Sequence, residues 1–277
     1  MPASQIEKAN TFRGLHERPG AFVIPNPFDA GTARILAGLG FEALATTSAG
    51  CAFGLGRADG AITRDEALAH ARAIVDATPL PVSADLENGY DDAPDGVALT
   101  VKLAAEAGLC GCSIEDASGR AEQPIYDFSH AVERIVAAVE AARGLPFPFT
   151  LTARAENFLH GRPDLDDTIR RLQAFEAAGA DVLYAPGLRE EGAIRTVCAS
   201  LSKPVNVIMG LTGAAFSVEQ LAGFGVRRIS LGSALARAAF GEFLRAAEEV
   251  RQRGTFSFAE RAASFKEIER FMAPPSP

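Results

Sequence analysis

The chain has only four cysteines in 277 residues, Cys51, Cys110, Cys112 and Cys198, and their spacing matches no disulfide framework. Cys110-Gly-Cys112 leads into a predicted strand, where two small buried side chains explain the pair better than a metal site does. A surplus of basic charge is also missing: 27 Lys and Arg stand against 35 Asp and Glu, a formal net charge of -8. That argues against a nucleic-acid or anionic-membrane partner. It leaves an anionic substrate open, because local arginines and a metal can invert the field of one cleft. No apolar run approaches the ~20 residues of a membrane span, and the polar start MPASQIEKANTFRGLHERPG has no signal-peptide pattern. The cytoplasm is therefore the expected setting. No Gly-x-Gly-x-x-Gly turn or Walker sequence follows the first predicted strand, which disfavours an open nucleotide-binding sheet.

What is present is alternation. From residue 21 onward, β-type runs at 21–25, 43–48, 82–87, 111–116, 149–156, 181–186, 204–209 and 228–232 alternate with helical patterns. Asp29 caps the first of these helices. Thr63 caps the second, with Glu66 three residues on completing a capping box. Later helices are expected at about 95–107, 129–143, 166–178, 190–200, after Ser217, and at 233–253. The stretch AGCAFGLGRADG after the second strand reads as a glycine-rich loop. Eight strands alternating with helices make one α/β unit, a (β/α)8 TIM barrel over 1–277. The helical extension at about 234–271 exceeds what a barrel needs. With Phe256, Phe258, Phe265 and Phe271 wanting burial, it is expected to pack on or exchange with another subunit. A proline-rich tail follows it.

In such barrels chemistry sits at the C-terminal ends of the strands. The stretch Ser83-Ala84-Asp85-Leu86-Glu87-Asn88-Gly89-Tyr90 stands out there. Period-2 alternation puts Ser83, Asp85 and Glu87 on one face of a strand. Two carboxylates held side by side repel each other, and a hard divalent cation such as Mg2+ removes that cost. The alternative is a pair of solvated loop acids. Around them fall Thr47, Ser48 and Ala49 after the second strand, Asp59 on the next loop, Glu115 and Asp116 after the fourth, Arg154 and Glu156 on the fifth, and Asn206 on the seventh. Arg154 reads either as a bidentate clamp on a substrate carboxylate or as an internal partner of Glu156 or Glu115. Asp116 reads as a site acid or as a cap facing the helices, Asn206 as a substrate contact or a core amide. His160 is a candidate proton donor or an inert loop residue, and Tyr184 lines the site or packs.

These residues carry a resemblance. SADLENGY, then SIED, then LTARAENFLHGRPDLDDTIRRLQAFEAAGADVLYAPG and PVNVIMG resemble the isocitrate lyase/phosphoenolpyruvate mutase superfamily over about 10–255. The resemblance implies a (β/α)8 barrel with a helix exchanged between subunits, a homodimer or homotetramer. It also implies Mg2+ (with Mn2+ as a substitute) and a small 2-oxo or 2-hydroxy carboxylate as substrate. Asp85 matches the family's direct metal ligand. Glu87, replacing an aspartate, and Glu115 match ligands that act through water. Arg154 matches the holder of the substrate carboxylate. Thr47, Ser48 and Ala49 match the segment that cradles it, and Asp59 matches an acid near the reacting centre.

The loop after the fourth strand departs from the pattern. It reads Ala117-Ser118-Gly119-Arg120-Ala121-Glu122-Gln123-Pro124, without the K-K-C-G-H of the family's lyases or the lysine of its mutases. The expected function is a Mg2+-dependent carbon–carbon lyase working through a metal-stabilised enolate, like isocitrate or 2-methylisocitrate lyase or like an oxaloacetate decarboxylase. A phosphonopyruvate-type hydrolase or mutase is one alternative, and a non-catalytic 2-oxo-acid binding protein another.

Overall fold

The computed structural model describes residues 3–210, 213 and 215–272. Eight parallel strands, β1 (Phe22–Ile24), β2 (Leu44–Ala45), β3 (Val82–Asp85), β4 (Gly111–Glu115), β5 (Thr150–Arg154), β6 (Val182–Tyr184), β7 (Val205–Ile208) and β8 (Arg228–Ser230), run in the order β1-β8-β7-β6-β5-β4-β3-β2. The amide of Ala45 donates to the carbonyl of Pro25 at 3.1 Å and draws the two ends of the sheet together. The result is the (β/α)8 barrel that the alternation predicts.

The helices are α1 (Gln5–Glu17), α2 (Ala30–Gly38), α3 (Ser48–Gly54), α4 (Arg64–Ala77), α5 (Pro94–Glu106), α6 (Phe128–Arg143), α7 (Leu165–Ala178), α8 (Glu191–Ala199), α9 (Val218–Gly223), α10 (Ala234–Arg253) and α11 (Phe265–Met272). Capping boxes form at Asp29 with Thr32 and at Thr63 with Glu66. Along β4 and β5, Ser113, Thr150 and Thr152 alternate with Cys112, Ile114, Leu151 and Ala153. The second set joins Leu172, Phe175 and Ile135 in the apolar layer between sheet and helices. Small polar side chains are thereby left for the barrel interior.

Two helices were not expected. The polar-looking start forms α1, closed by a capping box between Ser4 and Glu7, and it buries Ala9, Phe12, Leu15 and His16. Those residues pack with Phe22, Ile24, Ala43 and Cys110. Four inward residues in thirteen make a narrow stripe that period counting passes over. The first half of the glycine-rich stretch after β2 is helical as α3, with Thr47 as its N-cap, and the rest forms turns. At the other end, α10 has 20 residues but buries only Ala236, and Phe243, Leu244, Phe256 and Phe265 are exposed. Phe271 of α11 packs on Gly38 of α2. The proline-rich tail lies outside the described residues. No helix among the described residues is long and apolar enough to cross a membrane.

Candidate active site

Strand register sets the site. Glu115 pairs with Arg154, Arg154 with Tyr184, Tyr184 with Asn206, and Asn206 with Arg228, so one line of residues crosses five adjacent strands. Asp85 closes β3 beside it. Arg154 Nη1 lies 2.8 Å from Asp85 Oδ1 and 3.1 Å from Glu115 Oε2, while its Nε lies 2.8 Å from Glu156 Oε1. Its guanidinium also lies 5.2 Å from the Tyr184 ring centre, within cation–π range. The internal pairing read from the sequence is thus present, and Asp85 joins it. Burial works against the Arg154 charge, but Glu115, Glu156 and Asp85 outweigh it and hold the group well above its usual value. Burial also pushes Glu115 well up, against the pull of Arg154.

Ser48 Oγ lies 3.1 Å from Asp85 Oδ2 and 3.4 Å from Asp59 Oδ1. Burial, then Asp85, raises Asp59. Thr47 Oγ1 accepts from the Gly50 amide, and the first turn of α3 leaves the Ser48 and Ala49 amides without an intrahelical acceptor.

Glu87 corrects the reading that put it on the strand with Asp85. β3 ends at Asp85, and Glu87 enters a turn at φ 49°, a left-handed conformation that costs a non-glycine residue energy. The turn still folds it inward. Its Oε1 is buried without a partner, as is the hydroxyl of Tyr90, which has φ 58°. Burial first, then Asp85 and Asp59, pushes Glu87 up to about 7.

Two spaces open on these groups. An open cleft of about 1110 Å³ is lined by Asp59, Glu87, Glu115, Glu156 and His160. Beside it lies an inner cavity of about 260 Å³ that shares Ser48, Asp59, Arg154 and Leu159 with its wall. Thr47, Ala49, Asp85, Tyr184 and Asn206 line the inner cavity. Asn206 donates to Ser230 Oγ at 3.0 Å and accepts from Arg228 Nε at 2.9 Å. It is thus the satisfied amide of the second reading, and it also lines the cavity. Asp116 is turned away: it accepts from the Glu156 amide at 2.8 Å and pairs with Arg171 of α7 at 3.0 Å. His160 is exposed at the rim and lines the cleft only.

Sequence reasoning missed Arg228, His16 and Ser230. The signal for Arg228 and Ser230 was their shared parity on β8. His16 gave none, because no element was assigned before residue 21.

Arg154 stands among five acids, Asp59, Asp85, Glu87, Glu115 and Glu156, while the cleft's other two arginines, Arg64 and Arg120, pair with Asp91 and Asp92; an oxygen of Glu87 has no partner. A hard-oxygen donor set with surplus negative charge fits Mg2+ or Mn2+. Among the described residues no three acidic, His or Cys side chains converge to enclose a cation directly. An ion here would keep several waters.

The loop after β4 folds back on itself through a bridge between Ala117 and Ile125. Arg120 pairs with Asp92, and Tyr126 bonds both Asp92 and Asn88. The loop is tied to the segment after β3.

The phosphoenolpyruvate phosphomutase family model matches residues 12–251. An oxaloacetate decarboxylase of Ectopseudomonas mendocina (strain ymp) is 31% identical over 239 residues, 84% of this chain and 80% of its own. A 2-methylisocitrate lyase of Escherichia coli (strain K12) is 30% identical over 259 residues, 88% and 84% of the two chains. A solved structure from Burkholderia cenocepacia J2315, described no more closely than as a lyase/mutase, superposes with a TM-score of 0.95. It is 61% identical over 98% of this chain and 97% of the other. With a family match over most of its length and this site inside it, the chain belongs to the isocitrate lyase/phosphoenolpyruvate mutase superfamily.

Proposed function

We propose that this protein is a divalent-cation-assisted carbon–carbon lyase acting on a small 2-oxo or 2-hydroxy carboxylate, with an oxaloacetate-like acid as the best substrate. The observation that carries the reading is the rim itself: Asp85, Glu87 and Glu115 gathered around Arg154 over a cavity of about 260 Å³. That volume is below the ~300–1,000 Å³ of drug-sized sites and suits a metabolite of a few carbons. The relatives named as a decarboxylase and a lyase support the same class.

Asp85, with Glu87 and Glu115 through water, would hold Mg2+ or Mn2+. A cation there supplies Lewis-acid stabilisation of the charge that develops on the oxo oxygen. Arg154 has its second terminal nitrogen left over to orient the substrate carboxylate. Ser48 and the Ser48 and Ala49 amides offer donors to the same end of the substrate. In decarboxylation, the bond between the methylene carbon and the carboxylate breaks, CO2 leaves, and the electron pair passes to the oxo oxygen. The enolate then takes a proton from solvent or from His160 at the rim. No cysteine stands on the loop after β4, so substrates that need a strong acid on that loop fall outside the reading.

The test is a panel of oxaloacetate, 2-methylisocitrate, isocitrate and phosphonopyruvate with Mg2+ or Mn2+, with and without a chelator. Chelator-sensitive release of pyruvate from oxaloacetate is expected. Phosphonopyruvate hydrolysis alone would replace the reading with the hydrolase, and tight binding without turnover of any acid would make the protein a binder.

The assembly belongs to the proposal as well. An exposed α10 with Phe243 and Leu244, followed by Phe256 and Phe265, presents an apolar face that supports a homodimer or homotetramer. Sedimentation at micromolar concentration checks it, and a clean monomer would refute it.

A further inference from the structure

Below the acidic rim, a second guanidinium lines the inner cavity. Arg228 is 5% exposed, and its contacts are an amide oxygen, a hydroxyl and an imidazole. Nε donates to Asn206 Oδ1 at 2.9 Å, Nη2 to Thr152 Oγ1 at 2.9 Å, and Nη1 lies 3.4 Å from His16 Nε2. The imidazole is neutral: burial, then Arg228 itself, depresses His16 to about 3. Its Nδ1 lies 2.8 Å from the Phe12 carbonyl, which leaves Nε2 as the acceptor. No carboxylate pairs with Arg228 among the described residues. A guanidinium carries five N–H donors and three partners are present, so two donors remain.

Leaving a buried cation unpaired is strongly unfavourable. An apolar side chain would fill the barrel without that cost. The charge has a use only if an anion arrives, and the cavity that Arg228 lines shares Ser48, Asp59, Arg154 and Leu159 with the wall of the cleft. The space is polarised along its depth, with five acids gathered around Arg154 and an uncompensated guanidinium, Arg228, at the floor. A ligand with one anionic end and a metal-binding oxo-acid end fits that field in one direction.

We propose that Arg228, flanked by Asn206 and Ser230, forms a carboxylate-binding subsite at the cavity floor that takes the second carboxylate of a dicarboxylic acid. The assignment rests on the lyase reading for events at the rim; binding at the floor needs no turnover. It names the substrate class as dicarboxylates whose far carboxylate points into the barrel.

The experiment is calorimetric titration with unreactive acids matched in length, succinate against butyrate and glutarate against valerate, in the presence of Mg2+. In the unaltered protein at least one diacid should bind about tenfold or more tightly than its monoacid. Arg228→Met should weaken that diacid by ~10–100-fold, the range of a lost charge-assisted bond, and leave the monoacid within about twofold. Asn206→Asp, which sets a resident carboxylate beside the guanidinium, should weaken the diacid while keeping the fold. Equal affinity of diacid and monoacid in the unaltered protein would overturn the subsite, whether or not either variant folds. Equal loss of both acids in Arg228→Met would make the residue structural and overturn it too. Absence of oxaloacetate turnover would remove the lyase reading and leave this comparison standing.

Discussion

Arg154 and Arg228 project from strands of one barrel in the same line of paired residues, yet their surroundings are opposite. Arg154 meets Asp85, Glu115 and Glu156, whereas Arg228 meets Asn206, Thr152 and a neutral His16. The acids hold Arg154 well above its usual value; burial pulls Arg228 down to about 10. A cation with too many anions is a place for another cation to enter. A cation with none is a place for an anion. The two ends of the cavity thus ask for different ends of one ligand.

The largest effect should come from breaking the rim. Asp85→Ala removes the acid that touches Arg154 and Ser48 together. Cation-dependent turnover is expected to fall by at least ~10²–10³-fold, the scale of one lost group stabilising transition-state charge. Mn2+ binding, followed by electron paramagnetic resonance, should weaken in parallel. Unchanged metal affinity would move the cation away from Asp85.

Next in size is the stability difference between the two arginines. Arg154→Met strands the buried Glu156 and the part-buried Glu115 without their counter-charge, which should cost about 3–5 kcal/mol in urea unfolding. Arg228→Met strands no charge, so its cost should be much smaller or of opposite sign. Similar losses for the two variants would mean that the contrast in partners has no energetic content.

His16 sharpens the comparison from below. Its native value of about 3 lies under the unfolded value of 6.5, so only the unfolded chain binds this proton between those pH values. The contribution is complete above pH 6.5 and is lost as pH falls toward 3, by about 2 kcal/mol at pH 5. Unfolding midpoints at pH 7 and pH 5 should show the fall, and His16→Gln should flatten it. Arg228→Met, by relieving the repulsion on His16, should also reduce it.

The barrel was legible because the alternation of strand and helix patterns survives in composition alone, and capping boxes such as Thr63 with Glu66 marked helix starts. The rim acids were legible because β3, β4 and β5 each carry a charged residue at the end, where a buried strand seldom tolerates one. Glu87 was misplaced because alternation says nothing about a turn that starts one residue after Asp85. Arg228 was passed over because its register partner lies far away in sequence, on β7. Whether an arginine is paired is decided by neighbours across strands, which spacing along the chain cannot supply. His16 was hidden for the same reason, since α1 finds its apolar partners on β1 and before β4.

The smallest expected effect concerns the cysteines, and it tests the departure of the loop after β4 from the K-K-C-G-H pattern that the resemblance implies for lyases. Cys112 lies on β4 with no exposure, Cys110 just before it, and Cys51 is buried in α3. Cys198 sits in α8, on the helical layer. Burial raises all four thiols, to about 11 for Cys51, Cys110 and Cys198. At neutral pH a thiol at that value is thiolate in only about one molecule in 10⁴, too few for a nucleophile or a proton shuttle. None of the four lines the cleft or the inner cavity. Replacing all four with alanine or serine should therefore leave kcat/KM for oxaloacetate within about twofold, while general acid–base assistance, where present, is worth ~10²–10⁴-fold. The loss should appear in stability instead, because Cys51 and Cys112 fill space in the main core. Isocitrate cleavage that disappears with a single cysteine would show that the loop after β4 is not the one that sets the chemistry here.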